Sequence, residues 1–395
     1  MTTTSENTLR YDPYDRELLA DPYPTFRRLR DDAPLYYNEE HDFWALSRFG
    51  DVEAALKERG IFSSKKGVIL EMIKADFEMP PGTLIHDEPP LHTAHRQLLS
   101  RVFTPKAMTA IEPQVRAFCS QRLDELRDRD SFDFVREFAQ FIPMRVFGML
   151  LGIPDEAQER VRAHVEEGID GTDQEYGDDF LMDGFYDEFV DYRAEHPGDD
   201  LITRLITTEF EDELGVRRTL TRAESLMYLA VIAGAGNHTT NRLIGWLAKV
   251  LADNPDARAE LRADRALIPN AVEETLRFEP SSTQIARYVT EDVELHGQTV
   301  PEGSAMLLLA GSANRDERQF DAPDTYDIHR KVGHHLTFGY GPHFCLGASL
   351  ARLEGRVALE EMLARLPDWE TDLEHARLGN SPGVRGYASL PIRLG

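Results

Sequence analysis

A cysteine lies where a glycine-rich turn meets the start of an apolar helix, in the run Phe-Gly-Tyr-Gly-Pro-His-Phe-Cys-Leu-Gly from Phe338 to Gly347. Backbone N–H groups and the macrodipole at a helix N-terminus stabilise a thiolate. Gly339 and Gly341 permit positive φ angles and a close approach of the backbone to a flat ligand. The run therefore predicts that Cys345 binds a metal as a buried thiolate. A purely structural cysteine in a glycine-rich turn is the alternative.

A second set of polar residues follows an apolar stretch within one long predicted helix. Thr221 and Glu224 have the spacing of a capping box, and Asn254-Pro255 supplies a stop signal. From Leu226 to Gly236 the helix is apolar on all sides, which predicts burial on all sides. The polar run Asn-His-Thr-Thr-Asn (237–241) then follows, and buried polar groups of this kind need hydrogen-bonding partners.

Two further patterns place charged or titratable side chains on one face of a helix. Glu274 and Arg277 stand three residues apart, and His92 and Arg96 stand four apart. As exposed pairs they would contribute little to stability. Buried carboxylates, however, need paired donors, and arginine offers them a planar two-pronged contact.

The cysteine run resembles the haem-thiolate signature of the cytochrome P450 family, and the similarity extends from about Pro22 to Leu390. The resemblance implies a mainly α-helical fold with a smaller β-rich part, in which the long central helix crosses over a buried haem. Residues 1–395 then form a single catalytic domain, with residues 1–21 as a flexible N-terminal segment. In this family the cysteine is the proximal iron ligand, so Cys345 is the expected metal ligand.

The resemblance also assigns residues to the cofactor and to the loop that holds it. Glu274, Arg277 and Arg330 are expected to form a buried triad that fixes the cysteine loop in place. The residues expected to bind the cofactor, haem b, are His92, Arg96, Arg287, Phe338, Gly339, His343, Cys345 and Gly347.

The catalytic residues implied by the resemblance lie in the polar run of the central helix. Thr239 aligns with the threonine that stands beside dioxygen and orders water for proton delivery. The residue before it is normally acidic but is His238 here. Three interpretations remain open: His238 replaces the acid as a proton relay that titrates near neutrality, it makes a structural hydrogen bond, or it marks slower, peroxide-driven chemistry.

Small and apolar residues are expected to line the substrate pocket by resemblance, although each could equally pack in the core. They are Ala230, Ala233, Gly234, Ala235, Thr283, Ile285 and Val384. The expected reaction uses O2 to hydroxylate a C–H bond of a lipophilic small molecule, such as a steroid, terpenoid or fatty-acid-like compound. A haem-thiolate peroxygenase or isomerase, and a non-catalytic haem-binding sensor or carrier, are the alternatives.

The sequence contains no motif that would carry electrons to the iron. It has neither a Gly-x-Gly-x-x-Gly motif for flavin or nicotinamide nor a cysteine cluster for an iron–sulfur centre. Electrons from NAD(P)H are therefore expected to arrive indirectly, through a separate reductase and ferredoxin. A basic patch on the thiolate side would attract an acidic ferredoxin, and Arg101, Arg352 and Arg356 are the expected docking residues.

The composition argues against several classes of protein. The 395 residues include 44 Lys and Arg against 70 Asp and Glu, a net charge of −26, which argues against general binding to nucleic acids or anionic membranes. With two cysteines the chain has no disulfide framework. The N-terminus lacks the basic and apolar regions of a signal peptide, and the longest apolar stretch is too short to span a bilayer. We therefore expect a cytoplasmic protein.

The elements that must position these residues can be outlined from periodicity and turn signals. Helical patterns dominate residues 92–280 and 346–365, and the segment Ala313 to Leu336 is predicted to be an ordered loop. Strands are predicted at Leu35–Tyr37, Phe43–Leu46, Ile285–Val289, Val293–Leu295 and Ala305–Ala310.

Overall fold

A computed structural model describes residues 9–75, 83–100, 102–153, 160, 184, 186–212, 214–379, 381 and 383–395. Helices dominate this part of the chain. In chain order they are α1 (Arg16–Ala20), α2 (Tyr23–Asp32), α3 (Phe49–Lys57), α4 (Leu70–Ala75), α5 (Leu91–Ser100), α6 (Pro105–Leu126), α7 (Phe141–Leu151), α8 (Asp187–Glu195), α9 (Leu201–Thr207), α10 (Arg222–Asp253), α11 (Pro255–Ala263), α12 (Ile268–Phe278), α13 (Ala310–Ala313) and α14 (Ala348–Arg365). A π-helical turn at Val135–Ala139 precedes α7, and 3-10 turns occur at Arg265–Leu267 and Gly341–His343.

The strands are short and gather in small sheets. In chain order they are β1 (Leu35–Asn38), β2 (Phe43–Leu46), β3 (Phe62–Ser63), β4 (Ser131–Asp133), β5 (Phe210–Glu211), β6 (Arg217–Arg218), β7 (Ile285–Val289), β8 (Val293–Leu295), β9 (Gln298–Val300), β10 (Ala305–Leu308), β11 (Trp369–Thr371), β12 (Arg377–Leu378), β13 (Tyr387–Ser389) and β14 (Pro391–Leu394). The largest sheet has the order β1-β2-β10-β7-β3, with only the β2–β10 pair parallel. A second sheet has the order β11-β14-β4, and the pairs β5-β6, β8-β9 and β12-β13 stand apart.

The central helix α10 begins and ends where the sequence predicts. Thr221 caps it through a reciprocal capping box with Glu224, and Asp253 is its last residue before Asn254-Pro255. Its C-terminal half is almost fully buried, and it packs against α7 and α14. Helix α14, which follows the cysteine, also packs along α6.

Three sequence predictions about the fold are wrong in part. The apolar stretch of α10 is not buried on all sides, because Ala235 and Gly236 are exposed; its all-round apolar character comes partly from alanine and glycine, which are compatible with exposure. The strand predicted to reach Ala310 ends at Leu308, where α13 takes over. The helical region 92–280 also contains the short strands β4, β5 and β6.

In the N-terminal segment 1–21, which we expect to be flexible, residues 9–21 make contacts with the rest of the fold. Tyr11 is buried, and its carbonyl accepts a hydrogen bond of 2.8 Å from the side chain of Asn38. The carbonyl of Leu19 accepts a hydrogen bond from the buried Arg385 at 2.9 Å. Residues 1–8 lie outside the described part of the chain. None of the described helices has the length and hydropathy needed to cross a membrane.

Candidate functional site

The cysteine loop has the backbone geometry that its glycines predict. Gly339 and Gly341 adopt φ angles of +68° and +72°, which side chains with a Cβ rarely tolerate. At Gly341 a Cβ would also lie 3.0 Å from the carbonyl oxygen of Leu56. The N–H of Cys345 donates to the carbonyl of Phe338 at 2.8 Å, which closes the loop immediately before α14. The loop therefore holds the sulfur at the N-terminal end of that helix.

Local electrostatics alone do not make Cys345 a thiolate. Burial raises the pKa of the Cys345 thiol, and this effect exceeds the opposing effects of the Gly347 N–H and of the charges on Arg96 and Arg352. The expectation that the helix N-terminus keeps the sulfur deprotonated is therefore not met by the protein alone. A bound metal ion would lower the pKa of this thiol, since a coordinating thiol loses its proton outright.

The three residues of the predicted triad meet in a buried network. Arg277 donates to both oxygens of Glu274, through Nε at 2.7 Å and Nη2 at 2.8 Å. Arg330 donates from Nε to Oε1 of Glu274 at 3.1 Å, and the N–H of Asp327 reaches the same oxygen at 3.0 Å. Glu274 and Arg277 are completely buried, so these hydrogen bonds are shielded from water.

The network continues to the start of the cysteine loop. Nη1 of Arg277 donates to the carbonyl of Asn314 at 3.0 Å. The side chain of Asn314 then accepts from the N–H of Leu336 at 2.7 Å and donates to Oγ1 of Thr337 at 2.8 Å. Thr337 directly precedes Phe338, so the triad and the first residue of the loop are joined by two side chains.

A second ion pair behind the loop was missed by sequence reasoning. Arg352, on α14, donates to both oxygens of Glu273 at 2.6 and 2.9 Å, and its guanidinium lies 4.7 Å from the ring centre of Phe338. His335 lies 3.4 Å from the same carboxylate. These contacts with Arg352 and His335 lower the pKa of Glu273 to about 2, although its burial opposes the shift. The only sequence signal is that Glu273 adjoins Glu274.

Cationic and imidazole side chains gather on the other side of the loop, in a group we call the carboxylate-binding cluster: His92, Arg96, Arg287 and His343. The rings of His92 and His343 lie 4.3 Å apart between centres. Arg96 donates to the carbonyl of Phe344, and its charge acts on Cys345. Arg287 lies near the same residues, since the charge of Glu88 acts on both Arg287 and His92. The structure thus brings together four of the residues that the resemblance assigned to the cofactor.

Arg287 provides the test of whether this cluster suits haem. Its side chain is only 4% exposed, and among the described residues it bonds to the carbonyl of Ala286 at 2.8 Å, while the charge of Glu88 acts on it without a hydrogen bond or ion pair. Burial lowers the pKa of Arg287 to about 10, so it still carries its charge at pH 7. A buried guanidinium is stable only when paired. The cluster therefore fits a ligand that brings its own carboxylate groups, as haem does.

The polar run of the central helix lies next to its exposed segment. Oγ1 of Thr239 donates to the carbonyl of Ala235 at 2.8 Å. His238 does not titrate near neutrality as expected, because burial, assisted by the charge of Arg242, lowers its pKa to about 4. Its imidazole is therefore neutral at pH 7.

The predicted pocket residues fall into two groups. Ala230 and Ala233 are buried, and Ala233 belongs to the main hydrophobic core, which favours packing over ligand contact for these two. Gly234 is partly exposed and Ala235 exposed. In the second group, a bridge between Ser282 and Val384 places Val384 beside the buried Thr283. Ile285 lies next to the cysteine loop, where a Cβ on Gly339 would lie 3.9 Å from its Cδ1.

The residues predicted to dock a ferredoxin are not free charges. Arg352 is held by Glu273, and Arg356 donates to Glu112 at 2.6 Å. Both arginines of the predicted docking patch are therefore ion-paired within the chain, and their role in docking stays a prediction. Arg101 lies outside the described residues.

Comparison with known proteins agrees with the geometry. The family model described as cytochrome P450 matches residues 186–374. The chain is 40% identical over 392 residues to the putative cytochrome P450 123 of Mycobacterium tuberculosis, covering 97% of this chain and 96% of that protein. It is 33% identical over 388 residues to cytochrome P450 109 of Bacillus spizizenii, covering 94% and 92%.

Solved structures show the same similarity. Cytochrome P450 CYP109Q5 from Chondromyces apiculatus matches with a TM-score of 0.86 at 32% identity, over 97% of this chain and 98% of that chain. CYP109E1 from Bacillus megaterium, solved in complex with corticosterone, matches with a TM-score of 0.82 at 29% identity, over 96% and 100%.

Proposed function

Since the chain belongs to the cytochrome P450 family and is a monooxygenase of that family, we propose that it hydroxylates a C–H bond of a lipophilic small molecule, with Cys345 as the iron ligand. The observation that carries this proposal is the closed loop that holds Cys345 at the start of α14. The triad supports that loop from behind, and the carboxylate-binding cluster lies beside it.

Haem, when bound, supplies the iron at which O2 is reduced and one oxygen atom is passed to the substrate. The protein's own residues bind and orient it. Cys345 would hold the iron, while Arg96, Arg287 and His92 would pair with the two carboxylate groups and fix the rotation of the ring. Arg352 and Arg96 place positive charge near the sulfur, which favours its anionic form.

We assign proton handling to Thr239 and His238. Because the Thr239 hydroxyl donates to the carbonyl of Ala235, its lone pairs are left to accept a hydrogen bond from water. A neutral imidazole has one donor and one acceptor nitrogen, so His238 can take up a proton on one side and release one on the other. Because a pKa of about 4 keeps the ring neutral at pH 7, His238 would pass a proton through both ring nitrogens at once rather than by holding a positive charge.

Replacement of His238 by alanine is expected to lower the yield of product per reductant consumed by about tenfold or more, with the remainder released as hydrogen peroxide. Substrate affinity, followed by the spectral change on binding, should stay within about twofold, because only the proton route is altered. His238→Glu should restore most of the yield. If both variants formed product as efficiently as the native enzyme, His238 would have no part in proton delivery.

The proposed substrate class is steroid-like, with terpenoids and fatty acids as related candidates. CYP109E1, 29% identical, was solved with corticosterone bound. The pocket residues named above that reach the cysteine loop or the exposed part of α10 are Ile285, Gly234 and Ala235, none of which carries a polar side-chain group. A contact surface of this kind favours an apolar skeleton over a charged one.

A spin-state titration tests the substrate proposal. Ferric enzyme is mixed with corticosterone, a terpenoid or a fatty acid while the haem absorbance is followed. We expect a saturable low- to high-spin shift with the steroid, because a substrate bound over the iron displaces its water. A normal haem-thiolate spectrum with no shift for any of the three would overturn the substrate class and leave the family assignment unaffected.

We further propose that electrons reach the iron from a separate ferredoxin and its reductase, with docking on the thiolate side. The absence of a flavin or iron–sulfur motif in the sequence supports this. Since Arg352 and Arg356 are already ion-paired, they would act in docking through exchange of partners rather than as free charges.

A further inference from the structure

A histidine that the sequence analysis did not single out lies with the carboxylate-binding cluster. His86 is only 4% exposed, and the charges of Arg287 and His343 both act on its ring, which places it among the cofactor donors. Its Nε2 atom is buried and has no hydrogen-bond partner among the described residues. Burying a polar atom without a partner is unfavourable, so an atom of this kind points to a missing ligand.

The orientation of the His86 ring is fixed by the backbone of Ser64. Nδ1 of His86 lies 3.3 Å from the carbonyl of Ser64, and the main-chain N–H of His86 donates to the carbonyl of Thr83 at 2.8 Å. A carbonyl can only accept, so Nδ1 carries the proton in that contact. Nε2 is therefore the ring atom left to meet a ligand.

Glu88 is a carboxylate of the same region, and its Oε1 atom is satisfied while its Oε2 atom has no hydrogen-bond partner among the described residues. Oε1 of Glu88 accepts from the N–H of Ser64 at 2.7 Å and from Oγ of Ser63 at 3.2 Å, and Oε2 lies 3.5 Å from Nε2 of His343. The backbone of Ser64 thus contacts Glu88 through its N–H and His86 through its carbonyl. Glu88 makes no hydrogen bond to His86, and no other described residue supplies a hydrogen-bond partner to Nε2.

We propose that His86 binds a haem carboxylate group directly, through one proton shared between its Nε2 and a carboxylate oxygen. The proposal rests on the haem site described under the proposed function. It adds a donor to the four side chains of the carboxylate-binding cluster, which is plausible because two carboxylates offer four oxygens with two lone pairs each. A carboxylate beside the ring favours the protonated imidazole, whose pKa burial otherwise lowers to about 4.

The test compares two haems in the full-length protein. Native enzyme, His86→Phe and His86→Gln are loaded with either protohaem or its dimethyl ester, and the rate of haem loss to excess apomyoglobin is measured. The ester lacks ionised carboxylates but keeps the ring and iron. We expect His86→Phe to lose protohaem at least tenfold faster than the native enzyme and to lose the ester at an unchanged rate. His86→Gln, whose amide can reach the same point, should stay within threefold for both.

His95→Phe is the matched control. His95 is also buried, and its Nε2 has no partner among the residues that the structure describes, but its ring contacts Phe210 and Tyr228 rather than the cluster. His95→Phe should change the rate of loss of protohaem and of its dimethyl ester by the same factor. An equal effect of His86→Phe on both haems, or no effect on either, would overturn the proposal. If His86→Phe failed to fold, the pair His86→Asn and His86→Gln gives the same comparison, since the shorter amide cannot reach. Failure of the proposed hydroxylation would leave these rates unchanged, so the two outcomes are distinguishable.

Discussion

Replacement of Glu274 by alanine is expected to yield protein with little or no bound haem. The Glu274 carboxylate accepts four hydrogen bonds, from Arg277, Arg330 and the N–H of Asp327. Removing one partner from a buried ion network leaves uncompensated charge and costs about 3–5 kcal/mol. Domains are typically stable by only about 5–15 kcal/mol, so this loss is a large share of the total.

Removal of the Glu274 carboxylate should disturb the cysteine loop, because the hydrogen-bond network extends to that loop. Arg277 also holds the carbonyl of Asn314, whose side chain binds Leu336 and Thr337 just before the loop. With Arg277 released, the position of the loop is no longer fixed. The measurement is the ratio of haem absorbance to protein in the purified variant, together with its thermal unfolding.

Glu112→Ala is the control for this prediction. Glu112 also pairs with two arginines, Arg116 and Arg356, but at a half-buried position near solvent. Ion pairs of that type contribute up to about 1 kcal/mol, so this variant should keep its haem. Purification of Glu274→Ala with a full complement of haem would contradict the proposed role of the triad.

The sequence predicted the bounds of helices and strands well where the residues that set them lie close together in the chain. The capping box at Thr221 and the Asn254-Pro255 stop predicted the bounds of the central helix, because caps act within one turn. Strand β7, at Ile285–Val289, was also predicted to the residue. The contact of Arg330 with Glu274 was predicted only because the family resemblance supplied it, since the two residues lie 56 positions apart.

Partners that meet across the fold could not be predicted from a single sequence. Arg352 pairs with Glu273, 79 residues away, and Arg385 pairs with Glu279, 106 residues away. With 44 basic and 70 acidic residues, the sequence allows far too many pairings to choose among. The same limit explains why the ion pair of Arg352, a predicted docking residue, was not foreseen.

Replacement of Cys345 by serine is expected to abolish oxygen transfer while leaving the fold intact. The loop is closed by backbone groups, the N–H of Cys345 and the carbonyl of Phe338, and these do not depend on sulfur. The carboxylate-binding cluster is also unchanged, so the variant should still take up haem. A serine hydroxyl, however, does not provide the electron-donating thiolate that favours O–O cleavage. We expect the carbon monoxide complex to lose its thiolate-type spectrum and product formation to fall below detection.

The second cysteine gives the matched control, since its replacement should lower stability and leave the carbon monoxide spectrum unchanged. Cys119 is fully buried in the main hydrophobic core, and burial raises the pKa of its thiol, so it is an uncharged packing residue. Cys119→Ser buries a hydroxyl at an apolar site and should cost about 1–3 kcal/mol of stability. Its carbon monoxide spectrum should remain that of the native enzyme. A loss of the thiolate spectrum in Cys119→Ser but not in Cys345→Ser would contradict the assignment of the iron ligand, because each change removes one sulfur and only one of the two can bind iron.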